Sequence, residues 1–247
     1  MPRFRRIASV LCVAPLALAL AACGSSEEGG ITASEPLDPI AAPAGTSWVE
    51  TAAETPEQGM RQGNPDAPLK LVEYASHTCH VCADFSKDAY AELDEYIAKG
   101  IVSYEIRNLV RDPIDLSYTL LARCGPPAAF HALAHQGWED FDGLMQSIQA
   151  RGAALDAAAQ QPPETRFQAL GEASGLIDFF AARGVSRDQA MTCLADTAKA
   201  QRIAEASQKQ GDELAITGTP TFFLNGERIE GTNWISVEAA LQKAGAR

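Results

Sequence analysis

Positive charge is scarce in this chain. Twenty Lys and Arg stand against 32 Asp and Glu in 247 residues, a formal charge of −12. That balance argues against nucleic acid or an anionic membrane surface as an electrostatic partner. It fits an acidic, soluble surface. Long hydrophobic runs are missing too: Leu11 to Leu20 is apolar but too short for a comfortable transmembrane helix. No internal repeat and no low-complexity catalytic segment is evident. The hydrophobic fraction of 46% is nevertheless normal for a globular protein with a sizeable core.

The short apolar run reads as a targeting signal. Arg3, Arg5 and Arg6 form a basic n-region before it, and it closes in Leu20-Ala21-Ala22-Cys23. The closing residues resemble the lipobox of bacterial lipoproteins. That resemblance implies removal of residues 1–22, lipidation of Cys23 and a protein exported to the periplasmic side of a membrane. Ordinary cleavage near Ala22 is the alternative. Residues 23–62, with Gly29-Gly30, Pro36, Pro39, Pro43 and Pro56, read as a flexible tether. Trp48 and Val49 are the two residues there expected to dock on the domain.

Of six cysteines, Cys12 leaves with the signal and Cys23 carries lipid. Cys79, Cys82, Cys124 and Cys193 remain, two potential pairs in an oxidising compartment. Cys79-His80-Val81-Cys82 sits where an apolar strand, Leu69 to Ala75, gives way to a helix carrying Phe85, Ala89, Leu93 and Ile97. Two cysteines three apart at a helix start can close a disulfide and reopen it. Free backbone N–H groups and the positive helix end favour a thiolate on the first, and a thiolate is what attacks another disulfide. The helix end supplies roughly 0.3 to 2 kcal/mol, about one pKa unit. By this geometry Cys79 is the exposed nucleophile and Cys82 the buried resolving thiol. His77 and His80 flank the pair and are expected to be exposed.

Downstream, Gly100 reads as a helix stop and Ile101 to Leu109 as a second strand. About a hundred residues, 113–212, carry helical signals only. Pro220 to Leu224 and Glu227 to Glu230 read as strands around Asn225-Gly226, a strong hairpin signal. A last helix covers Ile235 to Ala244. The order predicts an α/β protein: residues 63–112 and 213–247 form a sheet covered by helices, with a helical insertion at 113–212.

This order, together with "GNPDAPLKLVEYASHTCHVC" and "ITGTPTFFLNG", is similar to the thioredoxin fold of the DsbA-like thiol–disulfide oxidoreductases, from about Gly63 to Ala244. On its own Pro220 reads as a proline at a strand start. The resemblance implies instead a cis-proline packed beside the cysteines, with Thr219-Pro220 docking an extended, cysteine-bearing polypeptide. It also implies a buried acid at Glu73 that relays a proton for Cys82; a partly exposed strand glutamate is the alternative. The dipeptide His80-Val81 departs from the family's common Pro-led pair, and the dipeptide tunes redox potential. Direction follows from what is missing. No N-terminal dimerisation domain of the isomerase type is read, so a monomer is expected, and Thr78 stands where the reductive branch has Trp. The inserted helical subdomain also looks like the oxidase type, so introduction of disulfides is favoured. A quinone-linked membrane reoxidant is implied by the family. No cofactor is implied.

Cys124 and Cys193, on separate predicted helices, can form a second, structural disulfide or remain buried thiols. His131 and His135 are four apart without the metalloprotease Glu between them, so they read as structural histidines. A copper or zinc site on His77, Cys79, His80 and Cys82 is a rival by ligand type, though residues on one short helix start rarely close a tetrahedron. Ala83 excludes a c-type haem motif. A redox-inert thioredoxin-like binding lipoprotein is the third reading.

Overall fold

The computed structural model describes residues 34–247. Residues 1–22, read above as a signal, and Cys23 lie outside the described residues. In chain order the elements are β1 (Ala52–Glu54), β2 (Met60–Gly63), β3 (Leu69–Ala75), α1 (His80–Ala98) and β4 (Val102–Asn108). Eight helices follow: α2 (Pro113–Ala122), α3 (Phe130–Glu139), α4 (Phe141–Gln149), α5 (Gly152–Ala159), α6 (Pro163–Ser174), α7 (Leu176–Ala181), α8 (Arg187–Leu194) and α9 (Thr197–Glu213). The chain then returns through β5 (Thr221–Leu224), β6 (Glu227–Ile229) and α10 (Trp234–Lys243).

The strands form one sheet in the order β1-β2-β4-β3-β5-β6. β3 and β4 run parallel because α1 carries the chain back between them; the other pairings are antiparallel. β3 is therefore interior, and Leu69, Leu71, Glu73 and Ala75 are all buried along one of its faces. Phe85 of α1 packs on Phe222 of β5 with ring centroids 4.4 Å apart, and Trp234 of α10 joins them. On the opposite face α9 approaches, with Tyr74 donating to Gln210 Oε1 at 3.0 Å.

Local chemistry sets the boundaries. Asp112 caps α2, its carboxylate accepting from the amides of Ile114 and Asp115 at 2.8 Å each, with Pro113 in the first turn. Asn225 and Gly226 both have positive φ, as a tight two-residue hairpin requires. Gly100 ends α1 at φ +73; a Cβ there would collide with the Ile40 carbonyl and the Trp48 ring.

Those collisions mark a departure from the tether reading of residues 23–62. From residue 34 the segment lies on the domain: the amides of Ser34, Leu37 and Ile40 donate to the carbonyls of Lys243, Gly245 and Lys99 at 2.8–2.9 Å. Trp48 Nε1 donates to the Ile40 carbonyl at 2.7 Å, and Leu37, Trp48 and Val49 pack on the core. β1 and β2 fall within the same stretch. β2 pairs Met60 with Ile106 and buries Met60. These strands have three and four residues, too few for alternation to register; β2 finds its partner β4 some forty residues on, and β1 then pairs only with β2. Among the described residues, no helix is long and apolar enough to cross a membrane.

Candidate active site

The end of β3 and the start of β5 are neighbours, because the antiparallel register sets Tyr74 opposite Thr221. The turn that leaves β3 therefore meets the residues that open β5. Cys79 sits at the N-cap of α1 with extended backbone, φ −102 and ψ 120. Its sulfur lies 3.2 Å from the Thr219 carbonyl, and the Thr219–Pro220 peptide is cis. Both Cys79 and Cys82 are free thiols and buried, Cys79 at 5% exposure and Cys82 at none. Cys79 is the more accessible of the two, though only a sliver of it meets solvent.

The thiols are driven apart in acidity. Cys79 is held down to about 5, chiefly by a hydrogen bond from the Cys82 thiol, and burial opposes this. The Thr219 hydroxyl and the amides of Cys82 and Val81 add to the lowering. No side-chain hydrogen bond caps α1 at Cys79, so those amides act as fixed dipoles at the helix end. Cys82 is pushed well up by burial, by its bond to Cys79 and by the charges of Glu73 and Cys79.

Glu73 is fully buried in β3, and burial raises its carboxyl to about 8. The Tyr104 hydroxyl on β4 donates to Oε2, while Oε1 is buried with no partner. A carboxyl of this kind is protonated at neutral pH and can give its proton to a nearby thiolate.

The loop before Cys79 is clamped by the start of α2. Thr78 donates its hydroxyl to Asp112 at 2.8 Å, and the His77 amide donates to Asp115 at 2.8 Å. Asp115 is itself buried, and burial raises it to about 7. Trp138 of α3 donates its indole N–H to the Ser76 carbonyl at 3.2 Å. Asp112, Asp115, Trp138 and Tyr104 escaped the sequence reading. The Asp-Pro pair opening α2 was an available signal for the first; the others are recruited across long sequence separations.

His77 corrects the expectation of exposure. It is buried, stacks on Tyr118 at 4.3 Å between centroids, and packs beside Trp138. Burial lowers it to about 3, with Arg123 adding to the effect, so it is a neutral core residue and gives Cys79 no positive charge. The apolar pocket of the inserted helices, absent from the local sequence, is the reason. His80 is exposed and lies 3.2 Å from Asp84; Val81 beside it is exposed as well. His131 is buried with Nε2 2.9 Å from the Met60 carbonyl. His135 stacks on Tyr90 and bonds Ser86. Among the described residues, no group of three or more His, Cys, Asp or Glu is placed to hold a metal.

Cys193 on α8 is bonded to Cys124, with Cα atoms 5.7 Å apart. Cys124 lies two residues past the end of α2 rather than on a helix of its own.

A six-stranded sheet with a Cys-x-x-Cys pair at a helix N-terminus and a cis-proline beside it defines a thioredoxin-fold protein. The family model described as thioredoxin matches residues 55–243, and the chain belongs to that family. It is similar, at 29% identity and TM-score 0.69, to the crystal structure of a protein-disulfide isomerase from Novosphingobium aromaticivorans, covering 74% of this chain and 95% of that one. The crystal structure of Wolbachia pipientis alpha-DsbA1 shares the fold, with TM-score 0.60 and 20% identity over 75% of this chain and 89% of that one. A Rickettsia bellii protein, provisionally named protein-disulfide oxidoreductase, is 26% identical over 189 residues, 76% of this chain. The chain spans 65% of that relative's length, a little under two thirds.

Proposed function

We propose that this protein is a thiol–disulfide oxidoreductase that introduces disulfides into extended polypeptides. The observation that carries the reading is the pairing of an acidic Cys79 thiol with a buried, weakly acidic Cys82 beside a protonated Glu73. In the oxidised protein a substrate thiolate attacks Cys79 Sγ. The Cys79–Cys82 bond breaks, and Cys82 leaves as a thiolate that takes its proton from Glu73. A second substrate thiolate then attacks the substrate sulfur of the mixed disulfide. The substrate disulfide forms, and Cys79 departs as a stable thiolate.

The acidity of Cys79 supports the oxidising direction. At pH 7 a thiol titrating near 5 is two decades into ionisation. That favours the reduced pair by about 3 kcal/mol, equivalent to about 60 mV for a two-electron couple. Thr219, whose carbonyl faces the Cys79 sulfur, is read as the docking point for the substrate backbone. His80 and Val81 are read as the exposed dipeptide that tunes the potential. The lipobox-like Cys23 supports export and a lipid anchor on the periplasmic side of a membrane, with a quinone-linked partner to reoxidise the pair.

Equilibration of the pair with glutathione tests the direction. The expected outcome is a potential more oxidising than about −180 mV; a value near −270 mV, in the reductase range, overturns it. Cys79→Ser is expected to abolish peptide oxidation, and retained turnover in that variant removes the assigned nucleophile.

A further inference from the structure

We infer that Tyr104 is a positioning residue of the exchange reaction: it pins Glu73 Oε2 and leaves Oε1 as the oxygen that trades a proton with Cys82. The inference rests on the exchange reading above and adds a residue to it.

Four observations carry it. Glu73 is sealed from solvent, so its proton has no bulk-water partner. Its Oε2 accepts from the Tyr104 hydroxyl, and its Oε1 has no partner at all. An unpartnered carboxyl oxygen in a dry site is costly unless it holds a proton or receives one in turn. Finally, no Lys or Arg among the described residues pairs with Glu73.

The titratable groups around Glu73 are few. Tyr104 faces it from β4, and Cys79 and Cys82 act on it from the start of α1. Phe222, opposite it on β5, does not titrate. Behind Tyr104 stands His131 of α3, with ring centroids 5.3 Å apart, itself neutral and held low by burial. Tyr104 is thus the one hydrogen bond that favours the Glu73 carboxylate, and a neutral donor does so without cancelling its charge. A cation there would hold the carboxylate too firmly to serve as a proton donor at neutral pH. A phenylalanine would leave it protonated where a base is needed.

The test uses the reduced full chain and an oxidised model peptide. Cys79 opens the peptide disulfide, and expulsion of the peptide by Cys82 is followed by acid quench from pH 6 to 10. In the wild type this step rises with pH through about 8 as Glu73 becomes a carboxylate able to take the Cys82 proton. In Tyr104→Phe the midpoint is expected about one unit higher, so expulsion at pH 7.5 slows roughly five- to tenfold while the rates converge at high pH. An unchanged midpoint, or equal slowing at every pH, overturns the inference. A second readout needs no variant. With carbon-13 in the tyrosine rings, the Tyr104 Cζ resonance is expected to shift with the same midpoint as the Glu73 carboxyl. A Tyr104 signal indifferent to that titration overturns the inference even if the variant fails to fold. If wild type forms no mixed disulfide, the exchange reading falls, while the resonance experiment still decides whether Tyr104 governs Glu73.

Discussion

Cys79 and Cys82 are chemically the same side chain, three residues apart, with opposite acidities. The difference comes from position: one at the open end of a helix beside donors, one a turn deeper among apolar groups and a carboxyl. Alkylation of the reduced protein by iodoacetamide is therefore expected to follow a midpoint near pH 5. A midpoint at an ordinary thiol value would remove the account of a thiolate held first by the Cys82 thiol and then by Thr219 and the helix-end amides. Glu73 makes a second prediction. Its folded form holds a proton up to about pH 8, whereas the unfolded chain releases it near 4.5. Between those values the folded state binds more protons, so its contribution to stability is full below 4.5 and is lost as pH rises through 8. Glu73→Gln is expected to match wild type near pH 4.5 and exceed it at pH 8, by on the order of 4 kcal/mol, in urea unfolding of the protein with the Cys79–Cys82 pair reduced. A constant difference across that range contradicts it. His77 acts in the other sense: its depressed value costs stability as pH falls from about 6.5 towards 3. The difference between variant and wild type isolates Glu73 from it.

Among the elements, the first turn of α2 does more than begin a helix. Asp112 satisfies two amides of α2 and also takes the Thr78 hydroxyl, tying the insertion to the residue before Cys79. Asp112→Ala is expected to cost about 1–2 kcal/mol in denaturant unfolding. It is also expected to broaden the amide resonances of Thr78 and Cys79; a variant as stable as wild type would deny the cap its role. β1 and β2 make the complementary point. Their residues carry no strand pattern of their own; β2 is a strand because β4 offers it an edge and Met60 has a buried place to go, and β1 is a strand because β2 then offers an edge in turn.

At the scale of the molecule, the insertion departs from the end of β4 and returns at the start of β5, so one body of helices backs the cysteine turn. Its own staple is the Cys124–Cys193 bond, closing a separation of 69 residues. On the chain-entropy argument, its loss destabilises by roughly 4 kcal/mol. Replacing both cysteines with alanine is expected to lower the unfolding free energy by about that amount without touching the Cys79–Cys82 pair. A change under about 1 kcal/mol would place the stabilisation elsewhere.

The sequence by itself determined whatever is local. The apolar run of β3, the helix opening at the cysteine pair, the Gly100 stop and the Asn225-Gly226 turn are each written within a few residues, because each depends on backbone conformations those residues prefer. Glu73 was legible only through the family resemblance, since the same strand also carries Lys70, which is exposed. Only the tertiary structure decided what depends on distant partners. It buried His77 against Tyr118 and Trp138, made a strand of residues 60–63 on β4, and set Tyr104 on Glu73. Dielectric environment and hydrogen-bond partners belong to the space around a side chain, and that space is filled by residues far away in the chain.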